Sequence, residues 1–238
     1  MDAGLMVALD VDGAREATLI AREIGARVDA LKVGSQLFTR HGPGIVGDVQ
    51  EAGGSVFLDL KFHDIPNTVA EAVKGAAAMG VSWLTVHASG GSDMVKAAKE
   101  AAGSSRVLAV TVLTSLDEED IRQIGWIGNV DEQVKNLALM ARESGADGIV
   151  CSAREAPILR AVLDDGCILV TPGIRPGGSS SDDQARVATP QWAITNGADY
   201  LVVGRPIIRA LDRSEAVESI LREIKEGRQA RPDLAGKA

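Results

Sequence analysis

Aromatic residues are scarce in this chain, at 3%. Any core must therefore be filled mainly by Val, Leu, Ile and Ala, within a hydrophobic share of 45%. Cysteine is rarer still. Cys151 and Cys167 each sit in an apolar run, with no metal-ligand spacing between them. That speaks against a zinc-type cluster and predicts two buried free thiols, as suits a reducing compartment. Basic charge is in deficit: the formal net charge is −8, which argues against a general nucleic-acid binder but leaves room for a local anion site. No apolar run approaches the ~20 residues that span a bilayer. Residues 1–5 lack the basic region of a secretory signal. The expectation is a cytoplasmic protein with neither a nucleic-acid nor a membrane partner.

What is present is a regular alternation. Short apolar runs at residues 5–10, 30–34, 55–61, 83–87, 106–112, 148–151, 167–171 and 200–203 read as strands. Helical stretches separate them: 14–25, 35–53 with a break at 41–44, 66–80, a segment ending at 102, 117–145 with a break at 125–129, 155–163, and 189–197. Ser35 is placed to cap the second helix. One amphipathic helix follows residues 204–206 and runs to about 226, and 227–238 reads as a frayed tail. Eight strands alternating with helices in 238 residues predict a single-domain (β/α)8 TIM barrel. An open doubly wound sheet is the alternative. No Gly-x-Gly-x-x-Gly opens a helix after the first strand, which weakens its dinucleotide-binding form. Residues 172–183, rich in Gly, Ser and Pro, read as a mobile loop.

The stretch from Ser55 to Thr68 organises the chain. Val56, Leu58 and Leu60 alternate to one side, and Phe57, Asp59 and Lys61 to the other. Asp64 follows, and then Pro66, which suits a helix's first turn. Charge at a strand's end running into a helix start is how parallel α/β enzymes present chemistry. An ordinary surface ion pair is the plainer reading, and such pairs contribute little. It loses ground because Asp10 and Lys32 form a second acid–lysine pair at earlier strand ends.

In a barrel, Asp10, Lys32, Asp59, Lys61, His87, Thr114, Ser115, Arg175, Gly204 and Arg205 would surround one mouth. Two like charges about 4 Å apart repel by about 4 kcal/mol at an effective dielectric near 20. Ionised aspartates gathered there need lysines between them. Such an array keeps Lys61 protonated, a proton donor rather than an imine-forming nucleophile. A fixed anion at Asp59 resists a substrate carboxylate, and the resistance eases as CO2 leaves. The lysine can then stabilise and protonate a carbanion. Gly204 and Arg205, with a helix starting behind them, suit a phosphate, and Arg175 and Gln184 bracket the nearby loop. His87 is expected to be a structural hydrogen-bonder. His63 is as readily turned away from the mouth as towards it. Trp83, Trp126 and Trp192 are expected to be packing residues.

Asp59-Leu60-Lys61-Phe62-His63-Asp64-Ile65-Pro66-Asn67-Thr68 resembles the signature of the orotidine 5'-phosphate decarboxylase family. The likeness extends through Ala8-Leu9-Asp10, Leu31-Lys32-Val33-Gly34, Thr85-Val86-His87-Ala88, Leu113-Thr114-Ser115, Thr171-Pro172-Gly173-Ile174-Arg175 and Val203-Gly204-Arg205-Pro206-Ile207. It implies decarboxylation of orotidine 5'-monophosphate (OMP) to UMP, the last step of de novo pyrimidine synthesis, without metal or organic cofactor. By the same resemblance Lys61 would protonate C6 and Asp59 would face the leaving carboxylate. Lys32 and Asp10 would hold the ribose. Thr114 and Ser115 would lie at the pyrimidine, and Gln184 would bridge base and phosphate. Arg205, Gly204 and Arg175 would serve the phosphate. Asp64 and Thr68 would reach the neighbouring site of a homodimer.

Two other readings compete. A related barrel acting on sugar phosphates with Mg2+ would share the Asp-x-Lys-x-x-Asp core, but here Lys32 occupies the end of the second strand. A non-catalytic phospho-ligand receptor would have no use for an anion aimed at a carboxylate.

Overall fold

The computed structural model describes residues 4–177 and 188–231. Eight parallel strands close into a barrel in sequence order, which removes the open-sheet alternative. They are β1 (Gly4–Ala8), β2 (Ala30–Gly34), β3 (Val56–Phe62), β4 (Trp83–His87), β5 (Arg106–Val110), β6 (Gly148–Val150), β7 (Ile168–Thr171) and β8 (Tyr200–Val203). The helices are α1 (Ala14–Ile24), α2 (Ser35–His41), α3 (Gly44–Glu51), α4 (Pro66–Ala78), α5 (Ser92–Ala101), α6 (Glu118–Gln123), α7 (Val130–Glu143), α8 (Ala156–Arg160), α9 (Pro190–Thr195), α10 (Arg205–Ile208) and α11 (Arg213–Gln229). β1 closes the ring against β8, with Gly4 opposite Tyr200 and Val7 opposite Val203.

Strand alternation divides the apolar residues into two cores. The outward side chains of the strands pack under the helices: Leu5, Val7, Leu31, Val33, Val56 and Leu58, for example, meet Ile20, Leu37 and Val49. The inward ones, among them Met6, Phe57, Trp83, Leu108, Val170 and Tyr200, fill the barrel itself. Trp83 and Tyr200 meet edge to face with centroids 5.1 Å apart, and Arg106 lies over the Trp83 ring. Two large rings thus plug the N-terminal end, and the polar strand ends are left to the other. Trp192, expected to pack, is 42% exposed on α9.

The N-terminal face is pinned by side chains just ahead of the strands. Asp29 accepts from the amide of Leu5, Asp147 from that of Val107 and Asp199 from that of Leu169. The hydroxyls of Ser55 and Ser82 meet at 2.7 Å ahead of β3 and β4. Asp199, 8% exposed, also pairs with Arg160 and with Arg231.

Several expected boundaries shift. Ser35 does not cap: it is the first helical residue of α2, and Gly34 precedes it without a side-chain bond. The last helix is two pieces, a single turn in α10 and then α11, which Asp212 caps through its bond from the Glu215 amide. The expected tail starts too early, since α11 continues to Gln229 with Gly227 buried. Arg231 is buried as well, held by Asp199 and by the carbonyl of Ala198. Residues 232–238 lie outside the described residues. Cys151 and Cys167 are free and buried, as expected. Among the described residues no helix is long and apolar enough to cross a membrane.

Replacing Asp199 by Ala strips Arg160 of its carboxylate and the Leu169 amide of its acceptor. The expected loss is roughly 3 kcal/mol of unfolding free energy in urea. A loss below about 1 kcal/mol would show the cluster to be worth no more than a surface ion pair.

Candidate active site

The C-terminal ends of the strands surround a cavity of about 310 Å³. Ala8, Lys32, Phe57, Asp59, Val110, Val150, Val170 and Val202 reach it from seven strands. Asp10, Thr114, Arg175, Gly204 and Arg205 reach it from the segments that follow. Its two halves differ in character. Valines of β5 to β8 make one wall apolar, suited to a flat heterocycle. The wall from β1 to β3 is ionic.

The ionic wall centres on Asp59. Lys61 Nζ donates to its Oδ1 at 2.8 Å, and Lys32 Nζ lies 3.5 Å from its Oδ2. Lys32 also reaches Asp10 Oδ1 at 3.3 Å. The sequence order acid, lysine, acid, lysine is therefore a spatial chain as well, Asp10–Lys32–Asp59–Lys61. Burial opposes the charge on Asp59. The fields of Lys32 and Lys61, with hydrogen bonds from Lys61 and Thr85, outweigh it and hold the carboxyl below its usual range.

The strand itself is irregular here. Leu58 pairs with Leu84 and Phe62 with Val86. Asp59, Leu60 and Lys61 therefore face the single residue Thr85. Two extra residues leave the two-residue alternation in phase, so Asp59 and Lys61 still point inward. The bulge turns Lys61 to φ +53°, and among the described residues no other non-glycine has positive φ. A left-handed backbone costs such a residue on the order of 1–2 kcal/mol. Strain of this kind concentrates at functional sites.

The other expected residues divide into groups. Arg175 is nearly buried and lines the cavity, and its amide donates to the carbonyl of Ala188. The bridge of Ile174 with Ala188 ties the two ends of the intervening segment together. Gln184 and residues 178–183 of the expected loop lie outside the described residues. Arg205 is exposed and lines the cavity beside Gly204. The helix behind them is one turn long, so an anion there would rest on the guanidinium and backbone N–H groups more than on a helix dipole.

Thr114 lines the cavity. Ser115, expected beside it, is exposed on the same loop and is not part of the wall. The strand ends at Val110, so its inward–outward alternation does not extend to these two residues. Asp64 and Thr68 are exposed at the start of α4 and do not line this chain's cavity. Asp64 accepts from the amide of Ile65, itself 66% exposed. The His87 ring makes no hydrogen bond to the described residues, contrary to expectation. Its ring lies 5.4 Å from that of His63, and burial, with the charges of His63 and Lys61, lowers its pKa. Thr85 escaped the reading of the sequence, although a hydroxyl at an inward position of an apolar strand was the available signal. Among the described residues no group of three or more His, Cys, Asp or Glu is placed to hold a metal ion.

A family model, the "Orotidine 5'-phosphate decarboxylase / HUMPS family", matches residues 4–220. The chain belongs to this family. It is 48% identical over 225 residues to an orotidine 5'-phosphate decarboxylase of Hahella chejuensis, covering 93% of this chain and 97% of that one. One from Thermobifida fusca is 47% identical over 226 residues, covering 94% and 97%. Among solved structures, an orotidine 5'-phosphate decarboxylase from Lactobacillus acidophilus matches with a TM-score of 0.84 and 40% identity, over 94% of this chain and 99% of that one. One from Pyrococcus horikoshii matches at 0.75 and 25%, over 93% and 99%.

A carboxyl whose folded pKa lies below its unfolded value stabilises the fold above the unfolded value, near 3.9. That contribution is lost as pH falls through the folded value. The stability difference between wild type and Asp59→Asn should therefore be level from pH 7 to 5 and shrink below about pH 4. Urea unfolding across that range measures it. A difference that grows on acidification would mean that the lysines do not hold Asp59 ionised.

Proposed function

We propose that this chain decarboxylates OMP to UMP and CO2, the closing step of de novo pyrimidine synthesis, through its own side chains. One observation carries the reading: a single carboxylate, Asp59, held between two lysines on the ionic wall of a cavity whose other wall is apolar. The pyrimidine lies against the valines. Arg205, Gly204 and Arg175 take the phosphate, the first two three strands round the barrel from Asp59 and Arg175 four. Asp10 and Lys32 hold the ribose hydroxyls, Thr114 meets the base, and Gln184 joins base to phosphate.

Binding energy from the phosphate presses the substrate carboxylate towards Asp59. The C6–carboxylate bond breaks, its electron pair stays on C6, and CO2 departs. Lys61 stabilises that carbanion and delivers its proton to C6, and solvent then returns a proton to the amine. Asp64 and Thr68, exposed and outside their own cavity, serve the neighbouring site of a homodimer. Ser115 reads the amide edge of the base only if its loop turns inward when substrate binds.

The sugar-phosphate reading fits less well. The Lys32 ammonium lies between Asp10 and Asp59, at 3.3 and 3.5 Å. A divalent cation bridging those carboxylates would have to displace it.

The absorbance of OMP should decay on mixing with purified protein pre-treated with EDTA. Activity towards a sugar phosphate that dies in EDTA and returns with Mg2+ would favour the related barrel. UMP binding without CO2 release from OMP would favour a receptor. Lys61→Ala should bind UMP within about tenfold of wild type, ~1.4 kcal/mol, and lose almost all turnover. Near-normal turnover in that variant would take Lys61 out of the chemistry.

A further inference from the structure

The Asp59–Lys61 pair is closed into a ring by a third residue. Thr85 lies in the middle of β4 and is fully buried. Its Oγ1 stands 2.9 Å from the backbone nitrogen of Lys61 and 3.0 Å from Asp59 Oδ1. The direction of both bonds is fixed. A backbone N–H can only donate, so the hydroxyl oxygen accepts from Lys61. The single hydroxyl hydrogen is then left for Asp59, an acceptor when ionised. One hydroxyl thus holds the carboxylate of one group and the main chain of the other, and Lys61 Nζ completes the circuit at 2.8 Å.

The position is unusual in a second respect. Thr85 alone faces the three bulged residues, and the amide it holds belongs to the residue with φ +53°. Without that acceptor the Lys61 amide would be left inside the barrel wall with no partner. The bulge would then be free to relax towards extended backbone and carry the ammonium with it.

We infer that Thr85 is a positioning residue: its hydroxyl sets the bulge of β3 and thereby the place of the Lys61 ammonium beside Asp59. The inference rests on the decarboxylase reading for its kinetic consequence and on the fold alone for its structural one. Thr85 touches no reacting atom. It acts through the two groups that do.

The test compares Thr85→Val, which keeps the shape and loses the hydroxyl, with Thr85→Ser, which keeps the hydroxyl and loses a methyl. Thr85→Ala is a second hydroxyl-free variant should Val fail to fold. For the hydroxyl-free variants, kcat on OMP should fall on the order of 100-fold, as expected of a displaced catalytic group. KM and UMP affinity should move less than about threefold by the same reasoning, because the phosphate and base contacts are untouched. Thr85→Ser should recover most of the lost kcat. Equal losses in Ser and Val, or losses shared equally by kcat and UMP binding, would reduce Thr85 to a packing residue and overturn the inference. A carbon-13 titration of the Asp59 carboxyl, read without substrate, separates this inference from the function it builds on. Its midpoint should move up in Thr85→Val. An unmoved midpoint sinks the inference even if OMP is turned over, and a moved one supports it even if OMP is not.

Discussion

Everything at the mouth of this barrel depends on keeping one buried carboxylate charged. Asp59 is removed from water, which by itself would favour the neutral acid. Two ammonium groups and a hydroxyl reverse that preference, and each arrives from a different place: Lys32 from β2, Thr85 from β4, and Lys61 from two residues further along β3. A neutral Asp59 would offer a substrate carboxylate no repulsion. It would also leave no anion between the two lysines, since Asp10 pairs with Lys32 on its far side. The alternation of sign is thus a condition for the cluster to exist, before it is a device for chemistry.

The barrel supplies what the cluster needs. Its N-terminal end is plugged by Trp83 and Tyr200 and pinned by aspartates that hold strand amides. The strands can therefore end in clustered charge at the opposite face without loosening. The valines of the later strands keep one wall of the cavity dry, which strengthens the electrostatics of the other. The irregularity in β3 belongs to the same design. A flat strand would space Asp59 and Lys61 along the wall, whereas the bulge folds them against each other and leaves both pointing inward.

Much of this was readable from residue order. The alternation of apolar runs and helical stretches gave the barrel. Asp10, Lys32, Asp59 and Lys61 were placed at one mouth because all lie at strand ends, and their sign order is the order found in space. The readings that failed share a cause: each needed a local conformation that periodicity does not carry. Ser35 and the helix after Gly204 turn on where a backbone bends. His87 was assigned a hydrogen bond on residue type, and its nearest ring is a second histidine from another strand's loop.

Sequence alone determined the closed alternating architecture, the family signature around Asp59 and Lys61, and the need for lysines between the acids, because these follow from period, residue type and Coulomb repulsion. Only the tertiary structure decided that three residues of β3 face one threonine of β4, that Lys61 turns to positive φ, and that Thr85 ties the pair together. Register between strands is set by contacts across the sheet, and no spacing within one strand records it.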